Sequence, residues 1–171
     1  MGSEPVVIEV RDHVVEIRLN RPDKKNAVTS AMYAAIAAAI EQAGSDKAIR
    51  AILFSGAGDA FCAGNDLNDF LSKPMTAESP VLRFLAAIAA TPVVMIAAVQ
   101  GACVGIGATL LLHCDHVVAA ATTTLQYNFV KIALVPEAAS SLLLPRAVGR
   151  LKAAELMLLG EPVEALSLIH I

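Results

Sequence analysis

Tryptophan is absent from the 171 residues, aromatic side chains make up only 4%, and cysteine occurs three times. Cys62, Cys103 and Cys114 are odd in number and form no C-x-x-C pair. An odd count without a secretory leader fits reduced thiols in a cytosolic or organellar matrix. Thirteen Lys and Arg stand against sixteen Asp and Glu, a net charge of −3. So slight an acidity argues against binding a phosphate backbone, which demands a basic footprint, but leaves room for a small anionic ligand met by a few local cations. The residues Met1-Gly2-Ser3-Glu4-Pro5 contain no basic region leading into an apolar run, so no signal peptide is expected, and Val6 stands where a myristoylation site wants Ser or Thr.

One long absence needs more care: no Asp, Glu, Lys or Arg occurs from Phe84 to Cys114. A hydropathy window would mark that stretch as a membrane span. Thr91-Pro92, Gln100-Gly101, Gly105 and Gly107 interrupt it, however, and a buried strand followed by a buried helix has the same composition. No membrane insertion is expected. The overall hydrophobic content, 56%, is ample to offset the entropy of ordering and excludes a disordered tail. With alanine so abundant, the core is expected to be one of small residues that let helices and strands approach closely.

Apolar periodicity predicts strands over 6–10 and 14–19, joined by a turn at Arg11-Asp12-His13, with Val15, Ile17 and Leu19 sharing a face. Thr29 or Ser30 caps a helix whose Met32, Ile36 and Ile40 recur every four residues, and Gly44-Ser45-Asp46 stops it. Further strands are expected over 49–54, 93–99 and 116–120. Helices are expected from Asp66, over 81–90, from the Gln100–Gly107 loop to His113, from Pro136-Glu137 with punctuation at Pro145 and Gly149, and finally over 151–159. Residues 74–80 read as a surface connection. Strands alternating with helices predict βαβ units, a largely parallel sheet and a single α/β domain over 1–171.

Two loops share one pattern: an apolar strand, then small residues, then a helix start. They are Ser55 through Asp66-Leu67, and Val99-Gln100-Gly101 through Gly107. Backbone N–H groups at such turns are unpaired and lie at the positive end of a helix dipole, so one from each loop could form an oxyanion hole. The glycines alone fit tight packing equally well. Gly101, Gly105 and Gly107 do not spell G-x-G-x-x-G, no acid follows at ribose distance, and no Walker A loop occurs, which disfavours nucleotide chemistry.

Between Asp115 and Glu155 the only carboxylate is Glu137, set in Ala133-Leu134-Val135-Pro136-Glu137-Ala138-Ala139. Apolar surroundings would raise its pKa and make it a usable base and acid near neutrality. Taken by itself, it fits a first-turn helix glutamate at least as well. His113-Cys114-Asp115-His116 straddles a helix end and a strand start, so its side chains diverge and no metal site is expected. Ser140 and Ser141 lack a nucleophile-elbow context.

Four ordered segments together resemble the crotonase (enoyl-CoA hydratase/isomerase) superfamily over nearly the whole chain. They are Leu19-Asn20-Arg21-Pro22 with Asn26-Ala27, Phe61-Cys62-Ala63-Gly64-Asn65-Asp66-Leu67, Val99 through Gly107 with Cys114-Asp115, and Leu134-Val135-Pro136-Glu137. The resemblance implies a crotonase-like ββα spiral with largely parallel sheets, assembled as trimers or hexamers. It implies an acyl-CoA substrate, with coenzyme A part of that substrate and no separate cofactor, and neither nucleic acid nor membrane as partner. Its two peptide donors fall on Asn65 and Ile106. Ala63, Gly64, Asp66, Leu67 and Gly105 line the acyl-CoA channel beside them, and Lys24, Lys25 and Ala27 lie near the nucleotide end.

Family hydratases carry two glutamates that activate water, and these positions hold Thr109 and Phe129 here. Glu137 after Pro136 instead resembles the catalytic glutamate of the peroxisomal-type Δ3,Δ2-enoyl-CoA isomerases. The expected function is therefore that isomerisation in fatty-acid oxidation. The alternatives are another crotonase activity, such as hydration or thioester hydrolysis, and a silent acyl-CoA-binding module. The expected location is the cytoplasm of a bacterium, or the peroxisome or mitochondrial matrix of a eukaryote. Family members continue with helices that close the site, so the helical region beyond about 160 is expected to be incomplete, with Leu166 to Ile171 departing from the pattern.

Overall fold

A two-residue turn starts the chain's architecture. Strand β1 (Val6–Arg11) pairs antiparallel with β2 (Val14–Leu19), with Arg11 opposite Val14, so Asp12-His13 alone makes the connection. Both have positive φ (47° and 69°), the primed-turn geometry that matches strand twist. The computed structural model describes residues 4–72 and 76–168. The predicted connection over 74–80 lies partly outside the described residues.

From β2, helix α1 (Ser30–Ser45) leads to strand β3 (Ala51–Gly56), and the short helix α2 (Leu67–Ser72) and helix α3 (Pro80–Ala90) lead to β4 (Val94–Val99). Thr29 caps α1, its hydroxyl accepting the Met32 N–H, and Met32, Ile36 and Ile40 are buried as their spacing predicts. Strand β5 (Ala102–Val104) and helix α4 (Ile106–Thr109) follow, then a 3₁₀ turn over Leu110–His113 and strand β6 (His116–Ala119). Strand β7 (Thr124–Gln126) precedes helices α5 (Ser140–Val148) and α6 (Arg150–Leu159), strand β8 (Val163–Glu164) and helix α7 (Ala165–Leu168).

The main sheet runs β1-β2-β3-β4-β6, and every pairing after the first hairpin is parallel. The mixed α/β class with largely parallel strands is thus the one the sequence predicts. A second sheet, β5-β7-β8, stands apart. Val15, Ile17 and Leu19 join Ile52, Phe54, Ala97 and the buried face of α1 in the main core. The uncharged stretch from Phe84 to Cys114 resolves into the end of α3, β4, β5, α4 and the 3₁₀ turn. Among the described residues no helix is long and apolar enough to cross a membrane.

The structure corrects several expectations. The segment after Val99 is not one helix to His113: Ala102 to Val104 pair in parallel with Thr124 to Gln126 as β5, and Gly105 (φ 54°, ψ −118°) bars helical continuation before Ile106. Pro136-Glu137 does not open a helix either. Ala138 and Ala139 are both left-handed, so α5 starts only at Ser140, and Pro145 lies inside it rather than ending it. Residues 151–159 are not the last helix, since α7 follows β8. The strand expected over 49–54 is shifted to Ala51–Gly56, where it pairs with β2 from Val14 to Leu19.

Candidate active site

The loops after β3 and β4 meet at the carboxyl ends of the parallel strands, where ligands bind open α/β sheets. Asn26 fixes the first loop from beneath. It is fully buried, its Oδ1 accepts the Arg21 N–H (2.8 Å), and its Nδ2 donates to the carbonyls of Ala57 (2.9 Å) and Ala60 (2.8 Å). Gln100 reaches across from the second loop, its Nε2 donating to the carbonyls of Gly56 and Gly58. The strips then pair: Cys62 N–H to Ala102 O (3.0 Å) and Val104 N–H to Cys62 O (2.9 Å). A Cβ on Gly107 would stand 2.6 Å from the Cys62 carbonyl oxygen, so only glycine permits this approach.

On its other edge the first strip pairs with residues 25–28. Ala63 N–H donates to Lys25 O, Val28 N–H to Gly64 O and Asp66 N–H to Val28 O. In that parallel bridge the Asn65 N–H points away from the partner strand. Ile106 is the first residue of α4, so its N–H has no intrahelical acceptor. Among the described residues neither N–H finds an acceptor.

Both flank one cleft of about 330 Å³. Ala63, Gly64 and Asn65 line one side of it, and Val104, Gly105 and Ile106 the next. Leu67 and the α3 residues Val81, Leu82 and Leu85 form an apolar wall. Phe129, Ile132, Leu134 and Val135 form the opposite one, with Glu137 among them. Glu137 is the single carboxylate among the described lining residues. Its Oε1 is buried with no hydrogen-bond partner, and burial pushes its pKa up to about 7. An acid so desolvated is near equal proportions of its two forms at neutrality, the condition for moving a proton both ways.

The structure therefore brings seven of the predicted residues together around the cleft: Ala63, Gly64, Asn65, Leu67, Gly105, Ile106 and Glu137. Asp66 turns aside instead, pairing at 3.0 Å with Arg21, whose guanidinium holds its carboxyl below the usual range. Lys24 ends the 3₁₀ turn beside the strip and Lys25 follows it, both exposed, and the Ala27 carbonyl accepts from Arg21. Of the positions that the resemblance assigns to hydratase glutamates, Phe129 lines the cleft and Thr109 is buried with its hydroxyl unpaired.

Two residues were missed. Tyr33, buried on α1, donates its hydroxyl to Asn65 Oδ1 (2.5 Å), and its ring lies tilted against Phe84 with centroids 5.1 Å apart. A tyrosine on a helix's apolar face needs such a partner, which is the signal that could have found it. His113 places Nε2 2.8 Å from the carbonyl oxygen of Ala138, beside Glu137. Three alanines flanking the acid, Ala133, Ala138 and Ala139, have positive φ at roughly 1–2 kcal/mol each. Burial also pushes the Cys62 and Cys103 thiols up to about 12, so neither is a thiolate nucleophile at neutral pH.

A sequence model of a family described as Enoyl-CoA hydratase/isomerase matches residues 9–169. The chain is 38% identical over 173 residues to 1,2-epoxyphenylacetyl-CoA isomerase of Escherichia coli (strain K12), covering 95% of this chain and 65% of that protein. It is 32% identical over 170 residues to the peroxisomal enoyl-CoA delta isomerase 3 of Mus musculus, covering 95% of this chain and 53% of that protein. The crystal structure of an enoyl-CoA hydratase/isomerase from Pseudoalteromonas atlantica T6c superposes with a TM-score of 0.93 at 41% identity, covering 98% of this chain and 66% of that one. Relatives carry both hydratase and isomerase names, and the chain spans about 65% of the length of the first of them.

Proposed function

We propose that this chain, which belongs to the enoyl-CoA hydratase/isomerase family, carries the machinery of a 3-enoyl-CoA to 2-trans-enoyl-CoA isomerase with Glu137 as its one acid–base group. The observation that carries the reading is the pairing of a lone, desolvated carboxylate with two unpaired peptide N–H groups around one apolar cleft.

The thioester oxygen accepts from the N–H groups of Asn65 and Ile106. Glu137 removes a proton from C2, and the negative charge passes through the dienolate onto that oxygen. The same carboxyl returns the proton at C4, leaving the double bond between C2 and C3. Each amide supplies about 3 kcal/mol where charge develops, because it is fixed before reaction in a site of low polarity. One base suffices, since the proton never has to leave. The apolar walls of α3 and residues 129–135 suit an acyl chain, and the exposed Lys24 and Lys25 are cations available to the phosphates of coenzyme A. Hydration would need a second group to hold and activate water, and Thr109 and Phe129 supply no carboxylate at the positions where the resemblance places one.

The test is product identification with 3-enoyl-CoA. Wild type should yield the 2-trans isomer, and Glu137→Gln should lower kcat about 10⁴-fold while leaving CoA-ester affinity within about twofold, because the amide keeps the shape and loses the base. A 3-hydroxyacyl product from 2-enoyl-CoA would overturn the reading in favour of hydration. Absence of any turnover, with affinity intact, would favour a binding module.

A further inference from the structure

Among the described residues no hydrogen bond reaches the Glu137 carboxylate, and its Oε1 is buried. Its position is inherited from the main chain, and that main chain is held at two points. The Ser140 N–H (2.9 Å) and hydroxyl (2.6 Å) both donate to the Glu137 carbonyl. One residue on, the Ala138 carbonyl oxygen lies 2.8 Å from Nε2 of His113. A carbonyl only accepts, so the His113 ring must carry its proton on Nε2. Ala138 and Ala139 are both left-handed, a conformation alanine keeps only where its surroundings over-determine it.

His113 is well placed to do that. It closes the 3₁₀ turn that continues α4, the helix whose first residue presents the Ile106 N–H. The bond to Ala138 thus ties the loop carrying the acid to the segment carrying one donor of the hole, across 25 positions of sequence. His113 does not line the cleft, so it acts through Ala138 and not on a ligand.

We infer that His113 is a positioning residue: through the Ala138 carbonyl it sets the distance between Glu137 and the Ile106 amide. The inference rests on the isomerase reading for its kinetic consequence, but not for its structural one. His113→Ala should lower kcat about 10- to 100-fold with KM within about twofold, because small misplacements of a reacting group are costly while the binding walls remain. His113→Gln, whose amide reaches the place of Nε2, should recover most of the rate.

The experiment measures kcat, KM and thermal melting for the full chain and both variants. Beside these it follows the carboxyl carbon of Glu137 through a pH titration by carbon-13 NMR. In His113→Ala the titration midpoint should fall by about one unit or more as the carboxyl gains water, and His113→Gln should restore it. If His113→Ala does not fold, His113→Asn takes its place, since its amide stops short of Ala138 and the same losses are expected. If wild type has no turnover, the isomerase reading fails, and the shifted titration alone still upholds the inference. A folded His113→Ala or His113→Asn with both kcat and titration unchanged overturns it and leaves the isomerase reading intact.

Discussion

The strips over 62–65 and 102–106 reach the cleft as paired backbone, whereas residues 133–139 reach it with no strand partner at all. Cys62 and Cys103 bridge to one another almost wholly buried, while Val135 is 82% exposed. In the proposed reaction the donor side works through peptide N–H groups, set by ladder hydrogen bonds and by glycines that let two strips touch. The acid side would work through a side chain, and its loop keeps three alanines in an unfavourable conformation. Changes of side chain on the first side should matter little if the backbone path survives. On the second, small changes of path should matter greatly.

Gly105 offers the hardest test of that contrast. Its φ of 54° and ψ of −118° belong to glycine, yet a Cβ there would have room, with Asn128 Oδ1 nearest at 3.6 Å. Gly105→Ala therefore changes backbone preference and little else. It should cost about 1–3 kcal/mol of stability. By turning the Ile106 N–H it should also lower kcat about 100-fold, the usual loss for one hole donor. Denaturant melts and steady-state kinetics would check both; a stable, fully active variant would break the comparison on its donor side.

The acid side is tested by pH. Glu137 must be ionised to take a proton, and burial raises its pKa from 4.5 to about 7. So kcat/KM should fall about tenfold per pH unit below 7 and level off above it. The effect on stability has the opposite direction. Between pH 4.5 and 7 the folded carboxyl holds a proton that the unfolded one has released. Stability from this group is therefore full below pH 4.5 and declines through 7, by about 3 kcal/mol in all. Glu137→Gln removes that slope, so its melting temperature should exceed the wild type's by several degrees at pH 8 and match it near pH 4.5. Equal melting at both pH values would show that the carboxyl is not buried in solution.

The same contrast explains what the sequence disclosed. The hairpin, α1 and the order of parallel strands were legible, because Val15, Ile17 and Leu19 alternate and Met32, Ile36 and Ile40 recur at helical spacing. Asn65, Ile106 and Glu137 were legible only through four segments taken together, and the structure brings them to one cleft. What escaped detection was non-local. Strand β5 exists because Ala102 to Val104 pair with Thr124 to Gln126, 22 positions further on, and no local apolar pattern announces it. The left-handed turn at Ala138-Ala139 runs against alanine's own preference, so propensity pointed to a helix at Pro136. Tyr33 and His113 bond to Asn65 and Ala138, partners that spacing does not reveal.

Tyr33→Phe probes the donor side more gently than Gly105→Ala. It removes the hydroxyl from Asn65 Oδ1 and leaves the ring against Phe84. Loss of one such bond is worth about 1 kcal/mol, so kcat/KM should drop about fivefold. A loss as large as that of Gly105→Ala would mean that the Asn65 side chain, and not only its peptide, is part of the chemistry.

Thr109→Val should have the smallest effect and the opposite sign. Thr109 is fully buried on α4, one turn after Ile106, and its hydroxyl has no partner. Valine matches its shape without the orphaned oxygen, so the substitution should stabilise the chain by about 1 kcal/mol and leave the proposed isomerase turnover unchanged. If donor-side residues serve the reaction through their backbone alone, nothing else can follow from this replacement. A fall in turnover in a folded Thr109→Val variant would place a hydroxyl of α4 in the reaction and bring the hydratase-like use of this position back into contention. Unchanged turnover with a raised melting temperature would confine the donor side to its two amides.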